Sequence, residues 1–148
     1  MKNTILTLLT VLISFTLFSQ TIKTDPKKPP LCDERSLYSL QPSIKGQVQA
    51  ICPLSKEALA KKLNAEVKYL KTHPGLTDKG RIGWVINCKG QVSLCQMDVK
   101  TTSPELDKQL ETSLSSLGEW KPGTLYEKPV DSSVLYVIVI TNGVVSVE

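Results

Sequence analysis

The stretch from Gly80 to Gly123, GRIGWVINCKGQVSLCQMDVKTTSPELDKQLETSLSSLGEWKPG, constrains the fold most, because it sets two extended runs, a capped helix and a fixed corner in one order. Arg81 to Cys88 and Gln91 to Val99 are rich in β-branched and aromatic residues, and the second run alternates polar with apolar. Successive strand side chains point to opposite faces, so such runs suit a half-buried sheet. Lys89-Gly90 between them predicts a two-residue antiparallel hairpin, glycine supplying the positive φ that the turn needs. Ser103 then precedes Pro104, Glu105, Leu106 and Asp107: a hydroxyl cap, a proline whose missing N–H costs nothing at the first helical position, and acids at the positive helix end. Leu106, Leu110, Leu114 and Leu117 follow at helical spacing and make one apolar stripe able to cover one face of the hairpin. Gly118 is placed to end that helix in a left-handed cap.

Met1 to Ser19 opens with a single charge, Lys2, continues as the mostly apolar run Ile5 to Phe18, and closes at Ser19. Fourteen residues of helix reach about 21 Å, short of the roughly 30 Å hydrocarbon core of a bilayer. Residues 1–19 therefore read as a cleaved secretory signal rather than an anchor, and no Cys ends the apolar run to carry a lipid. No other run is long and apolar enough to span a membrane. Roughly 128 residues remain, enough for one domain with one modest core. With Lys2 removed, 17 basic and 14 acidic residues leave a net charge of +3. The excess is scattered, and Lys27-Lys28 and Lys61-Lys62 lack interleaved aromatics, so they read as solvated surface rather than a nucleic-acid patch.

Four cysteines, Cys32, Cys52, Cys88 and Cys95, in a small exported chain predict two disulfides in an oxidising compartment such as the periplasm or the exterior. The bland alternative is four unlinked buried thiols. No C-x-x-C occurs and His73 is the one histidine, so no metal site is expected. With Lys89-Gly90 as the turn, Cys88 lies opposite Gln91 and Cys95 opposite Trp84, on one face but about 13 Å apart, which disfavours a Cys88–Cys95 bond. Cys32 and Cys52 would then each reach into the hairpin, in either order, each link contributing roughly 2–4 kcal/mol.

Residues 20–54 read as a spacer and a loop-rich segment: Thr24 to Pro30 is polar, proline-rich and extended, and Gly46 to Ile51 alternates briefly enough for a short strand. Residues 55–148 read as the domain. Ser55 caps a helix predicted to run to about Thr72, with Leu59, Leu63, Val67 and Leu70 on one face and Lys61, Lys62, Asn64 and Lys68 away from it. His73-Pro74-Gly75 stops it, and His73, with no acid or second histidine nearby, reads as a turn residue. Beyond the corner at Trp120-Lys121-Pro122-Gly123, where the tryptophan is expected to pack over the end of the second helix, Tyr126 to Pro129 forms a further turn. Val134 to Ile140 is a strand apolar on both faces, so it is central or covered. Trp84 and Tyr136 are expected on the exposed face as packed cross-strand neighbours. Asn142-Gly143 is a strong hairpin signal leading into a last strand, Val144 to Val147. Connection rules place the strand after the second helix beside the first hairpin strand, in the order 2-1-3 with the short C-terminal strand beyond it. The class is α+β: two helices packed on one face of a small antiparallel sheet.

An enzyme is not expected. Asp33-Glu34 lies in an unpatterned loop and Glu105/Asp107 at a helix start; no Ser-His-acid order, phosphate-cradling glycine loop or metal spacing is present. No cofactor is implied.

Gly80-x-Ile82, the hairpin with Gly90 at its turn, Ser103-Pro104-Glu105-Leu106-Asp107 opening a helix, and Trp120-Lys121-Pro122-Gly123 followed by Pro129-Val130 together resemble the C-terminal domain of the TonB energy transducers, over about residues 55–140. The resemblance implies an α-β-β-α-β domain that meets outer-membrane transporters by pairing an edge strand with an extended transporter segment. It matches the family's last strand to Val134 to Ile140. The predicted strand from Val144 sits where an incoming peptide would pair, so a partner would have to displace or extend it; the partner-binding positions are expected at Val134, Tyr136, Ile138, Val144 and Val145. Two departures stand beside it. Transducers of that family keep an uncleaved anchoring helix and a long proline-rich linker, which this chain is expected to lack, and Glu127-Lys128 stands where the family has glycine before Pro-Val. The reading is an exported periplasmic protein-binding module, without stable membrane insertion once the signal is removed. The alternatives are an envelope-associated homodimer formed through Val134 to Ile140 and, third, a secreted enzyme or inhibitor.

Overall fold

The computed structural model describes residues 28–148; the expected signal at 1–19 and most of the spacer lie outside them. Along the described residues the elements are β1 (Gln47–Val48), α1 (Lys56–Glu66), α2 (Lys68–Thr72), β2 (Asp78–Ile86), β3 (Val92–Val99), α3 (Pro104–Ser115), β4 (Gly123–Leu125), β5 (Lys128–Val130), β6 (Ser132–Thr141) and β7 (Val144–Val147). The expected single sheet is corrected to two: four antiparallel strands in the order β3-β2-β6-β7, and a small one in the order β1-β4-β5. The small sheet is built by Gly46 and Tyr126. Tyr126 (φ 48°) and Glu127 (φ 67°) make a tight left-handed turn between β4 and β5, and the Tyr126 N–H donates to the Gly46 carbonyl at 2.6 Å. Two-residue β1 lies within Gly46 to Ile51, where brief alternation predicts a short strand.

Among the described residues three helices stand where two were expected. Ser55 does cap α1, its Oγ accepting from the Ala58 N–H at 3.2 Å. The helix then breaks at Val67 (ψ 102°), whose extended backbone cannot continue the ladder. The Tyr69 N–H, freed by that break, donates to Gln109 Oε1 of α3 at 3.0 Å, and Val67 and Leu70 both stay buried. The start of α3 follows the sequence: Ser103 Oγ accepts from the Leu106 N–H, and Leu106, Leu110, Leu114 and Leu117 are all buried. Its end does not. Gly118 is absent from the positive-φ residues, and the helix stops at Ser115. The last carbonyls find side chains instead: Thr112 O accepts from Ser115 Oγ, Ser113 O from Ser116 Oγ, and Leu114 O from the Trp84 indole N–H at 3.2 Å. With those acceptors satisfied, a left-handed cap has little left to bind.

The β2–β3 hairpin is corrected at its tip. Trp84 lies opposite Cys95 as expected, but Ile86 pairs with Val92, a register shift follows Val85, and residues 87–91 form the loop. Buried Asn87 builds that loop. Its Oδ1 accepts from the N–H groups of Lys89 (3.0 Å) and Gln91 (2.9 Å), replacing the two-residue turn with a side-chain-made one. Gly90 holds φ 80°, and a Cβ there would lie 2.1 Å from the Trp120 carbonyl oxygen, so the hairpin tip and the corner lock together. Asn142 (φ 50°) and Gly143 (φ 72°) make the expected turn between β6 and β7.

The core lies between the inner face of the large sheet and the helices. Ile82, Trp84, Ile86, Cys95, Met97, Val134, Ile138, Ile140 and Val145 meet Leu59, Leu63, Val67, Leu70 and the α3 leucines. Trp84 and Tyr136 are therefore on the covered face, not the exposed one; Trp84 is 1% exposed, with its ring 5.4 Å from Tyr136 edge-on and 5.3 Å from Trp120. Trp120 is a core residue.

Candidate protein-binding surface

Strand β7 forms one edge of the large sheet. In an antiparallel ladder alternate residues turn both backbone groups outward, and on β7 these are Val145 and Val147, because Val144 pairs with Thr141, Ser146 with Val139, and Glu148 exchanges both bonds with Val137. Asn64 of α1 reaches this edge: Val145 N–H donates to Asn64 Oδ1 and Asn64 Nδ2 donates to Val145 O, each at 2.9 Å. The second Nδ2 hydrogen goes to Ala60 O at 2.9 Å, which fixes the orientation of the amide. Ahead of Val145, the Gly143 N–H donates to Leu76 O at 2.8 Å. Val147 makes no outward bond among the described residues. The opposite edge, β3, is guarded in the same manner, with the Met97 N–H donating to Glu111 Oε1 of α3 at 2.7 Å. Side chains that cover ladder groups in this way keep exposed edges from pairing indiscriminately.

Among the described residues nothing covers the outer face of the large sheet. Leu135 (47% exposed) and Val144 (60%) stand on it with half-buried Val85, Leu94, Val137 and Val139. Gly83 leaves a shallow hollow beside Leu135, about 120 Å³ in volume, and the Arg81–Asp98 ion pair closes one side. Paired charges at a rim leave the apolar centre as the adhesive part of such a face.

These placements decide what each sequence-expected contact can contribute. Val134, Ile138 and Val145 have core side chains, exposed by 1%, 1% and 3%. Val134 and Ile138 lie on β6 opposite Trp84 and Gly80 of β2, with their backbone groups turned into the sheet, so of the three only Val145, on the edge strand, has backbone that faces outward. Tyr136 is half-buried beneath Lys56, whose ammonium sits 5.4 Å from the ring centroid; burial, then the neighbouring Cys52, pushes its hydroxyl pKa up. Val144 alone of the five presents an exposed side chain. The sequence places Asn64 away from the apolar face of its helix, and no periodicity marks it as a contact. The faint signal is an amide in a helix interior, where its propensity is poor.

The cysteines are corrected from two disulfides to one, Cys32–Cys88. Cys52 and Cys95 are free and buried in separate settings. Cys95 lies against the Glu111 carbonyl of α3, its pKa pushed up to about 12 by burial and then by the Glu111 carboxylate; Cys52 sits by Leu54 and Tyr136, its pKa raised by burial. Beside the disulfide stands buried Asp131, accepting at 2.7 Å from the Asp33 N–H and at 2.7 Å from the Cys88 N–H. Cys32, Cys88 and Asp131 offer metal-ligand atoms within 4.8 Å of one another, but both sulfurs are committed to each other. With Asn87 Nδ2 bonded to Pro30 O and Tyr38 N–H to Asp131 O, the cluster fastens the N-terminal segment to the hairpin tip. His73 stacks on Tyr69 at 3.9 Å in the exposed turn and gathers no reactive neighbours among the described residues. The disulfide suits an oxidising compartment, and no helix among the described residues is long and apolar enough to cross a membrane. In comparisons with known proteins the chain matches no family model, no curated protein and no solved structure.

Proposed function

We propose that this chain is an exported, periplasmic, non-catalytic protein-binding module of the TonB C-terminal kind, which receives an extended partner segment along the outer edge of β7. The observation that carries the reading is that edge: the outward groups of Val145 are held by one side-chain amide, and those of Val147 are unpartnered among the described residues. Incoming backbone can satisfy both, which is the chemistry of strand addition. An outer-membrane transporter is the partner that the TonB resemblance suggests. The test is photo-crosslinking in living cells with a photoreactive residue at Ser146, which is exposed, rather than at Val145, which is buried. Adducts mapping to an extended, periplasm-facing segment of an outer-membrane transporter are expected. Adducts only to a second copy of the chain, or to nothing, would remove this reading.

A second reading, an envelope-associated homodimer, is favoured by the apolar outer face around Leu135. Four strands at about 4.8 Å spacing and about eight residues at 3.3 Å give a footprint near 500 Å² per copy, about 1,000 Å² in total, at the lower limit of specific interfaces. Such a dimer would be weak. Sedimentation showing a monomer at about 100 μM, unchanged by Leu135→Lys, would exclude it.

A further inference from the structure

We infer that Asn64 is a displaceable stand-in for one peptide unit of the incoming strand, so that it sets how readily the β7 edge accepts a partner. The inference rests on the strand-addition reading and names the regulation of that same edge. A strand pairing with Val145 would take its N–H and its C=O at once, and the Asn64 carboxamide does both, across 81 residues of sequence. The side chain is locked for this task by its third bond, to Ala60 O one turn back on α1. Entry is limited on the other side, because the Gly143 N–H is taken by Leu76 O and a Cβ on Gly143 would lie 2.9 Å from Pro74 Cα. The partner is therefore an extended segment that covers Val145 and Val147 and swings the Asn64 amide aside, returning it to water.

The test compares the wild-type chain with Asn64→Ala, a substitution that raises helix propensity on the flank of α1 and is expected to leave the fold intact. The exchange rate of the Val145 amide, read by NMR, is expected to rise about tenfold, with the Ile82 amide of the core unchanged. Loss of two ordinary hydrogen bonds from the closed state corresponds to a gain of about 10- to 30-fold in partner occupancy at limiting concentration, read as photo-adduct yield at Ser146. An unchanged Val145 exchange rate would overturn the lock by itself. Faster exchange with wild-type levels of transporter adduct would show that Asn64 seals the edge without competing for it, and would overturn the inference while leaving strand addition standing. Transporter adducts from neither protein would sink strand addition, and the inference with it. Asn64→Asp supplies the second variant: its carboxylate keeps an acceptor for Val145 N–H but opposes the carbonyls of Val145 and Ala60, so exchange and adduct yield should again rise.

Discussion

Replacing Cys32 and Cys88 together by serine should cost more stability than any substitution on the surface, and its size can be worked from the connectivity. The bond joins residues separated by 56 positions. Closing such a loop removes about 14 cal/mol/K of chain entropy from the unfolded state, or about 4 kcal/mol at 25 °C. The segment that the bond ties down cannot simply fray, because Leu40, Ala50 and Cys52 from it are buried. Its release would open the core, so the loss should appear in the global transition. For about 120 folded residues the unfolding entropy near the midpoint is about 0.25 kcal/mol/K, which converts the loss to a Tm lower by about 15 °C. Thermal melts followed by circular dichroism, on the oxidised wild type, the double variant and the reduced wild type, give the comparison. The last two should coincide. A drop smaller than about 4 °C, near 1 kcal/mol, would refute the claim that this bond constrains the unfolded chain as the fold implies.

Other outcomes follow from the same geometry. Asp131→Asn keeps one acceptor and turns an NH₂ group toward the Asp33 or Cys88 N–H, so urea melts should show about 2–3 kcal/mol lost; less than about 0.5 kcal/mol would mean the carboxylate is not the anchor of the N-terminal segment. Asp78 has its pKa lowered: burial opposes ionisation, but bonds from Thr102 Oγ1, the Thr102 N–H and the Lys79 N–H outweigh it. A depressed carboxyl contributes stability above its unfolded pKa, near 3.9, and loses it as pH falls through the folded value. The stability gap between wild type and Asp78→Asn should therefore shrink as pH falls from about 5 to about 2, and a gap constant over that range would contradict the assignment. An aromatic disulfide reagent at pH 8 should find almost no reactive thiol in the native protein, since burial keeps Cys95 and Cys52 protonated, and two per chain in urea. Four in urea would mean that Cys32–Cys88 is open, and none that Cys52 and Cys95 are joined.

What could be read from residues alone was whatever depends on neighbours in sequence. Ser55 and Ser103 cap helices because each hydroxyl needs only an N–H three residues on. Asn142-Gly143 turns the chain because both residues tolerate positive φ. The misreadings arose where a distant group supplied a bond that local rules would have assigned nearby. The α1–α2 break is accommodated by Gln109, 40 residues from the Tyr69 N–H it accepts, and the end of α3 is finished by Trp84, 30 residues before Leu114. The hairpin register failed for a different reason. Lys89-Gly90 is a fair turn signal, but Asn87, two positions earlier, offers a side-chain acceptor that makes a wider loop better bonded, and this frees Cys88 from the ladder to reach Cys32.

The surface was harder to read than the fold, because periodicity says which residues are apolar and not which face is left uncovered. Val134 to Ile140 is apolar at every position, and the sequence rule that such a strand is central or covered is met on one face only. Helices close over Val134, Ile138 and Ile140, while Leu135 stays 47% exposed. Asn64 shows the same gap from the other side. At 100° around the helix from buried Leu63, an amide reads as solvated flank, and nothing in the helix says that an edge strand 81 residues later will come to rest beside it. Edge and face are thus separate surfaces on one strand pair, and they give opposite answers to substitution. Asn64→Ala should strengthen backbone pairing at Val145 and leave the Leu135 face unchanged, whereas Leu135→Lys should weaken face-to-face association and leave the Val145 edge as it was. A partner lost with Leu135→Lys but indifferent to Asn64→Ala would move the binding surface from the edge to the face.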